Sequence, residues 1–337
     1  MRFLIAGLGS VGRRHLRNLV ALGERDIVLL RSGKSTLPDD ELDGFPTVTT
    51  LEAALDRQPA AVIVSNPTAL HLDVAIPAAG AGCHLLLEKP VSHTLERTRE
   101  LLEALDAGRG RALIGYQYRF HPGLKAVHRW LLDGAIGRVV AATSAYGDYL
   151  PAWHPWEDYR QGYSALHSLG GGVILTLSHP VDSLEWLLGP ADLAGAWSAA
   201  VPELEIEAEA AAAILLAYPD DKVGLVRLDF LSRPRVHRLE LIGTTGAIQW
   251  DEADGSARLH RRDGEEETLL PPAGFDRNDM FLAELAHFLE VARGEEQPVC
   301  SVEDGVRTLG LLVAAKEFAA RAKIGRSKTP ASGRGRA

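Results

Sequence analysis

The chain has 337 residues, more than one hydrophobic core usually supports, so two domains are expected. With 46% apolar and 24% charged residues it has the composition of an ordinary soluble globule, and a net charge of -9 argues against a nucleic-acid binder, whose phosphate contacts need a basic surface. Two distant cysteines, Cys83 and Cys300, fit a reducing compartment; no apolar run reaches the ~18 residues of a membrane span. No metal-binding spacing of Cys, His or acidic residues occurs, so no metal is expected. The expected location is the cytoplasm, with neither nucleic acid nor membrane as partner.

In chain order, residues 2–6 read as a buried strand, 11–21 as a helix, 27–30 and 60–64 as strands, and 70–79 as a helix. Residues 84–87 and 112–116 add strands on either side of a helix over 95–105, and a helix over 124–132 leads out of the unit. Strands alternating with helices at this spacing predict βαβ units and a mostly parallel sheet. Beyond residue 120 the grammar changes. Residues 139–146, 193–199, 210–218, 223–230 and 238–242 favour strands, although 205–216 is ambiguous with helix, and turn signals at 219–221 and 254–255 suggest antiparallel connections. Residues 281–291 and 306–320 are helical in period. The expected fold is α/β: an N-terminal Rossmann domain over 1–120, then an α+β domain over 121–322 built on a large, mainly antiparallel, open-faced sheet. Residues 323–337, basic and rich in Gly, Ser and Pro, read as a disordered tail.

Chemistry first shows at Gly7-Leu8-Gly9-Ser10-Val11-Gly12, between a predicted strand and a predicted helix. Gly7 permits a tight turn, Gly9 lets backbone approach a pyrophosphate, and Gly12 allows close helix–strand packing, while the N–H groups at Ser10 and Val11 open a helix N-terminus to phosphate. The second strand ends at Arg31, 19 residues past Gly12, where an NAD-binding chain usually has an acid for the ribose hydroxyls. An arginine there, with Ser32 and Lys34, suits a 2′-phosphate, so NADP(H) is the preferred cofactor and NAD(H) the possible one. Asn66-Pro67 and Glu88-Lys89-Pro90 each follow a strand and point into the crevice beyond the strand ends. There Asn66, Pro67 and Glu88 would meet cofactor and Lys89 a substrate oxygen.

Between 147 and 169 the chain has no periodicity but carries Trp153, His154, Trp156 and Tyr163, a mix of rings and hydrogen-bonding groups that suits a polyhydroxylated ligand. One helix is then predicted over 173–188, ended by Gly189-Pro190. Its Thr176, His179 and Asp182 share a face at three-residue steps, with His179 a plausible proton carrier near neutral pH.

The fingerprint followed by His15, Asn66-Pro67, Glu88-Lys89-Pro90, the segment Gly115-Tyr116-Gln117-Tyr118-Arg119-Phe120-His121-Pro122, and the region from Gly170-Gly171-Gly172 to Asp182 together resemble the Gfo/Idh/MocA family of oxidoreductases. The resemblance spans residues 2 to about 322. It implies catalysis by Lys89 and His179, with Gln117 toward the cofactor and Arg119 toward the substrate. It also implies hydride transfer at a carbon of a sugar, nucleotide sugar or cyclic polyol, and a homo-oligomer, dimer or tetramer, formed through the open sheet. Thr176 stands where the family commonly has an acid shortly before the histidine, so a charged partner is missing there. Asp182 compensates only if it faces inward. Two other outcomes stay open: an NADP(H)-binding regulator without turnover, and transient redox serving epimerisation or glycosidic cleavage.

Overall fold

The computed structural model describes residues 1–33 and 37–327, without the side chains of 323–327. Strands β1 (Phe3–Ala6), β2 (Ile27–Leu30), β3 (Thr47–Val48), β4 (Ala61–Val64), β5 (His84–Glu88) and β6 (Ala112–Gly115) alternate with helices. Those helices are α1 (Ser10–Ala21), α2 (Leu51–Leu55), α3 (His71–Gly80) and α4 (Thr98–Gly108). The strands form one parallel sheet in the order β3-β2-β1-β4-β5-β6. That is the doubly wound order in which ligands bind beyond the carboxyl ends of the strands. Phe3-Leu4-Ile5-Ala6 and Ala61-Val62-Ile63-Val64 are buried throughout, as a sheet covered on both faces requires.

Helix α5 (Pro122–Leu132) leads into β7 (Val139–Gly147), the start of a second sheet. After a long loop come α6 (Val173–Thr176) and α7 (His179–Leu188), then β8 (Asp192–Ala199), β9 (Ala211–Ala217), β10 (Val223–Asp229), β11 (Val236–Gly243), β12 (Gly246–Asp251), β13 (Ala257–Arg261) and β14 (Glu266–Leu269). The order is β14-β13-β12-β11-β7-β10-β9-β8, antiparallel except where β7 meets β10. One face is covered by α5, α6 and α7, which take Ile214, Leu216, Val226, Leu228, Leu239 and Trp250 into the core. The opposite face is open and leaves Leu215, Val223 and Leu225 40–44% exposed. Helices α8 (Arg277–Arg293) and α9 (Val302–Ser327) then return to the first sheet and tie the halves together.

The observed elements refine the expected ones at three places. The predicted helix over 173–188 is two helices, because Pro180 has no N–H to give the carbonyl of Thr176 and the chain breaks at Leu177-Ser178. The ambiguous 205–216 segment turns strand at Ala211, within the strand read over 210–218, where alternate residues are buried and the strand packs on α6. Helix α9 runs to Ser327, past the start of the expected tail, whose remainder lies outside the described residues.

Candidate active site

At the fingerprint, Gly7 adopts φ +96°, and a Cβ there would lie 2.4 Å from the Asn66 nitrogen. A Cβ on Gly12 would come 1.9 Å from the Gly7 oxygen, so that glycine sets the close approach of α1 to the turn. Gly9 differs: a Cβ would meet nothing within 4 Å. Gly9 is the N-cap of α1, no side chain caps it, and no acid occupies the first turn. Open space at an uncapped N-terminus of a 12-residue helix suits the pyrophosphate of a dinucleotide.

At the end of β2 the Arg31 guanidinium donates to Asp39 Oδ1 over 2.5 Å. Buried Arg13 holds the same loop, donating to the carbonyls of Leu37 and Pro38 and to Glu41. Asp39 is a residue the sequence did not single out, since its acid arrives eight positions after Arg31. Ser32 is exposed beside it, and Lys34 lies outside the described residues.

Across the crevice, the break that Pro180 imposes has a chemical consequence. The carbonyl of Thr176, denied its helical donor, accepts instead from Lys89 Nζ at 2.7 Å. A residue at the end of a Rossmann strand is thereby brought to the second half of the chain, one turn before His179. Burial brings the Lys89 ammonium down to about 8, with Glu88 opposing the fall and Arg277 adding to it.

His179 opens α7 and is buried among rings: Tyr118 at 4.7 Å and Tyr116 at 5.6 Å, both edge-on, and Tyr146 at 6.3 Å. The Gln117 amide nitrogen lies 3.3 Å from His179 Nε2. Burial, then Lys89, His237, Arg277 and Arg235, hold the imidazole well below its usual range, so it stays neutral. Behind it His237 stacks on Tyr146 at 4.4 Å, and Arg235 donates to the hydroxyls of Tyr118 and Tyr146 and to Glu252. Thr176 Oγ1, Gln117 Oε1, His179 Nδ1 and Asn66 Oδ1 are buried polar atoms without a hydrogen-bond partner in the protein. Orphaned groups converging at a strand-end crevice fit a polar ligand and the nicotinamide end of a cofactor.

Comparison with known proteins decides the family. Residues 1–116 match the model described as an oxidoreductase family with an NAD-binding Rossmann fold, and residues 124–249 match the GFO/IDH/MocA C-terminal domain. The chain belongs to the Gfo/Idh/MocA family. Among its relatives is 1,5-anhydro-D-fructose reductase of Ensifer adhaerens, 29% identical over 311 residues, 88% of this chain and 85% of that one. The rhizopine catabolism protein MocA of Rhizobium meliloti is 25% identical over 333 residues, 95% of each. A levoglucosan dehydrogenase structure in complex with NADH and levoglucosan superposes with a TM-score of 0.85 at 18% identity, covering 95% of this chain and 97% of that one. This Gfo/Idh/MocA member is thus an oxidoreductase with an NAD-binding Rossmann domain and a large, mainly antiparallel second sheet. No helix among the described residues is long and apolar enough to cross a membrane.

Of the residues that the motifs nominated, Lys89, Gln117, Thr176 and His179 come together, and Asn66 turns one amide nitrogen to Leu70 O while its oxygen is unpartnered. Pro67 is half-buried beside it. Others do not reach the crevice. Glu88 is the last residue of β5, and strand alternation turns it away from the Lys89 side, onto His15 Nε2 at 2.8 Å, so it does not face a cofactor. Arg119 and Asp182 do not face a substrate: they are buried against each other, with Arg119 Nη2 2.7 Å from Asp182 Oδ1 and its Nη1 donating to Val299 O. Asp182 therefore does not stand in for the missing acid at Thr176. Trp153 packs edge-on against Phe230 at 5.7 Å, and its indole Nε1 is buried without a hydrogen-bond partner in the protein. Trp156 is 56% and Tyr163 38% exposed, with the His154 ring 5.0 Å from Trp156. Their loop is ordered by short 3-10 turns, by Tyr159 Oη on Leu204 O, and by the Arg160–Glu205 pair. It closes on the first domain at Gly170, where a Cβ would lie 3.0 Å from those of Thr68 and His93.

The sequence missed the wall behind His179, made of Tyr146, Arg235 and His237, whose members are far apart in the chain. It also missed His71, whose ring spans Pro90 O and Asn66 O and fixes both strand-end loops. The Asn66-Pro67 to His71 spacing, one helical turn, was the available signal.

Proposed function

We propose that the chain is a dehydrogenase or reductase acting on a CH–OH carbon of a sugar, nucleotide sugar or cyclic polyol, with Lys89 and His179 at the same substrate oxygen. The observation that carries this is the meeting of Lys89 and His179 beside three unpartnered buried polar atoms, on Gln117, Thr176 and His179 itself. The relatives named above for anhydrofructose reduction and for levoglucosan agree with such a substrate. A bound nicotinamide supplies the hydride acceptor or donor. In oxidation the neutral His179 imidazole takes the hydroxyl proton, and the Lys89 ammonium, released from the Thr176 carbonyl, stabilises developing alkoxide charge. Reduction reverses both roles. Thr176 adds a neutral hydrogen-bonding group where an acid would add charge.

NADP(H) is the preferred cofactor in this reading, with Arg31 on the 2′-phosphate and Ser32 and Lys34 beside it. Asp39 occupies the guanidinium in the free protein and favours NAD(H), so the two residues are opposing determinants. Arg31→Ala is expected to weaken NADPH selectively, and Asp39→Asn to strengthen it, in paired dissociation constants for NADPH and NADH. Equal changes for both cofactors would remove Arg31 from the choice.

The open face carrying Leu215, Val223 and Leu225 is read as the seat of a second copy in a dimer or tetramer. Sedimentation at micromolar protein should give that species, and Leu225→Glu should reduce it to monomer. A monomeric parent would contradict the assignment.

The function itself is tested by following nicotinamide absorbance over anhydro-sugars, cyclic polyols, aldoses and nucleotide sugars with both cofactors. Turnover on one of these classes is expected. Cofactor binding with no turnover on any of them would instead make the protein a cofactor-binding regulator.

A further inference from the structure

Two carboxyls beneath the fingerprint take no part in the proton route described above. Glu88 ends β5 one residue before Lys89, and Glu284 lies mid-way along α8, fully buried. Polar side-chain atoms of His15, Glu88 and Glu284 all lie within 4.8 Å of one another. Glu88 is satisfied: His15 Nε2 donates to it at 2.8 Å, leaving His15 Nδ1 bare and buried. Glu284 is not, for neither of its oxygens has a hydrogen-bond partner in the protein.

Two carboxylates in one buried pocket cannot both keep a charge, and their surroundings decide which loses it. Burial works against the charge on Glu88, but the His15 hydrogen bond, with His15, Lys89 and His71 as neighbours, holds it below the usual carboxylate range. Burial, then the charge of Glu88, pushes Glu284 well above that range. Arg14 on α1 also senses Glu88, and Cys300 senses Glu284. Toward Lys89 the field is simple: Glu88 raises its proton affinity and Arg277, at the start of α8, lowers it.

We propose that Glu88 and Glu284 are a buried carboxyl pair holding one proton, kept on Glu284, and that the charge left on Glu88 is the positioning element that keeps Lys89 an ammonium. The pair deepens the role given to Lys89 above and rests on it. Glu284 confines the pair to one charge; Glu88 passes that charge to the crevice through Lys89. The arrangement also accounts for a glutamate at the strand end that turns its back on the ligand.

Neither half of the test needs a substrate, so its outcome is separate from whether any sugar turns over. Infrared difference spectra of the full-length protein at neutral pH, taken between the parent and Glu284→Gln, should show the loss of a protonated-carboxyl band beyond that of Glu185, which burial pushes up to about 7. Acetylation of Lys89 by acetic anhydride at pH 7, quantified by peptide mass spectrometry against exposed Lys125, then reads the amine. In Glu88→Gln the rate should rise severalfold, because the negative charge that raises the proton affinity of Lys89 is removed. Glu284→Gln should change it by less than about twofold. NADH affinity and thermal unfolding of each variant establish that the fold is kept. If Glu88→Gln does not fold, the infrared band and the Glu284→Gln rate still decide. No change in the band in Glu284→Gln, a rate increase in Glu284→Gln like that in Glu88→Gln, or a stoichiometric divalent cation lost with Glu284 would overturn the proposal.

Discussion

The two walls of the crevice are built in opposite ways. The Lys89 wall comes from one strand end, and its catalytic candidate stands within a triplet of consecutive residues. The His179 wall is assembled from a loop after β6, from β7, from the start of β11 and from α7, with Tyr118, Tyr146, Arg235 and His237 all near one imidazole. The first needs only local geometry to be right. The second exists only once both sheets have formed. Charge follows the same division: Lys89 has an acid next to it in sequence, whereas Lys89, Arg277 and Arg235, all cationic, are the charged groups that bear most on His179.

The largest expected effect that sharpens this contrast is catalytic. Lys89→Ala and His179→Ala should each lower hydride transfer by about 10²- to 10⁴-fold, the usual worth of a general acid or base. Thr176→Ala should cost far less, because its carbonyl, the group that Lys89 uses, survives the change. Single-turnover nicotinamide absorbance, with cofactor affinity measured on the same variants, checks both.

A stability effect comes next. Arg119 and Asp182 brace the His179 wall from inside, so Arg119→Leu should destabilise by roughly 3–5 kcal/mol by leaving a buried carboxylate unpaired. Denaturant titration measures it. A loss of activity at parental stability would return Arg119 to the substrate site.

The smallest effects are in pH. Lys89 is charged below about 8 and neutral above it, so kcat/KM should fall as pH rises through that value. On the other wall, burial holds His121 at about 4 and His179 and His237 well below the ordinary range. Unfolded imidazoles take up protons near ~6.5, so the stability these residues contribute is complete above that pH and is lost as pH drops toward 4. Thermal midpoints between pH 8 and 4 should show the decline, and His121→Asn should flatten part of it.

Much of this molecule was legible in order along the chain. The parallel sheet followed from apolar runs separated by helical periods, and the fingerprint gained its meaning from the strand before it and the helix after it. Lys89 was legible because strand ends in such sheets face the crevice. Other features were not. Periodicity carried the 173–188 helix straight through Pro180, although the missing N–H frees the very carbonyl that Lys89 takes. Motif membership put Arg119 and Asp182 on the ligand, whereas a guanidinium and a carboxylate 63 positions apart had found each other in the core. Strands β12 to β14 went unread because their alternation is short and broken by charged turn residues. Local chemistry is written locally, and pairing across sheets is not.

The central claim, that the two walls meet at one substrate oxygen, is tested most directly by the double variant Lys89→Ala/His179→Ala in single-turnover hydride transfer. Groups acting as a unit are not additive, so the double variant should lose about as much rate as the worse single one. A loss equal to the product of the two single losses would mean that Lys89 and His179 act at separate places, and would contradict the account.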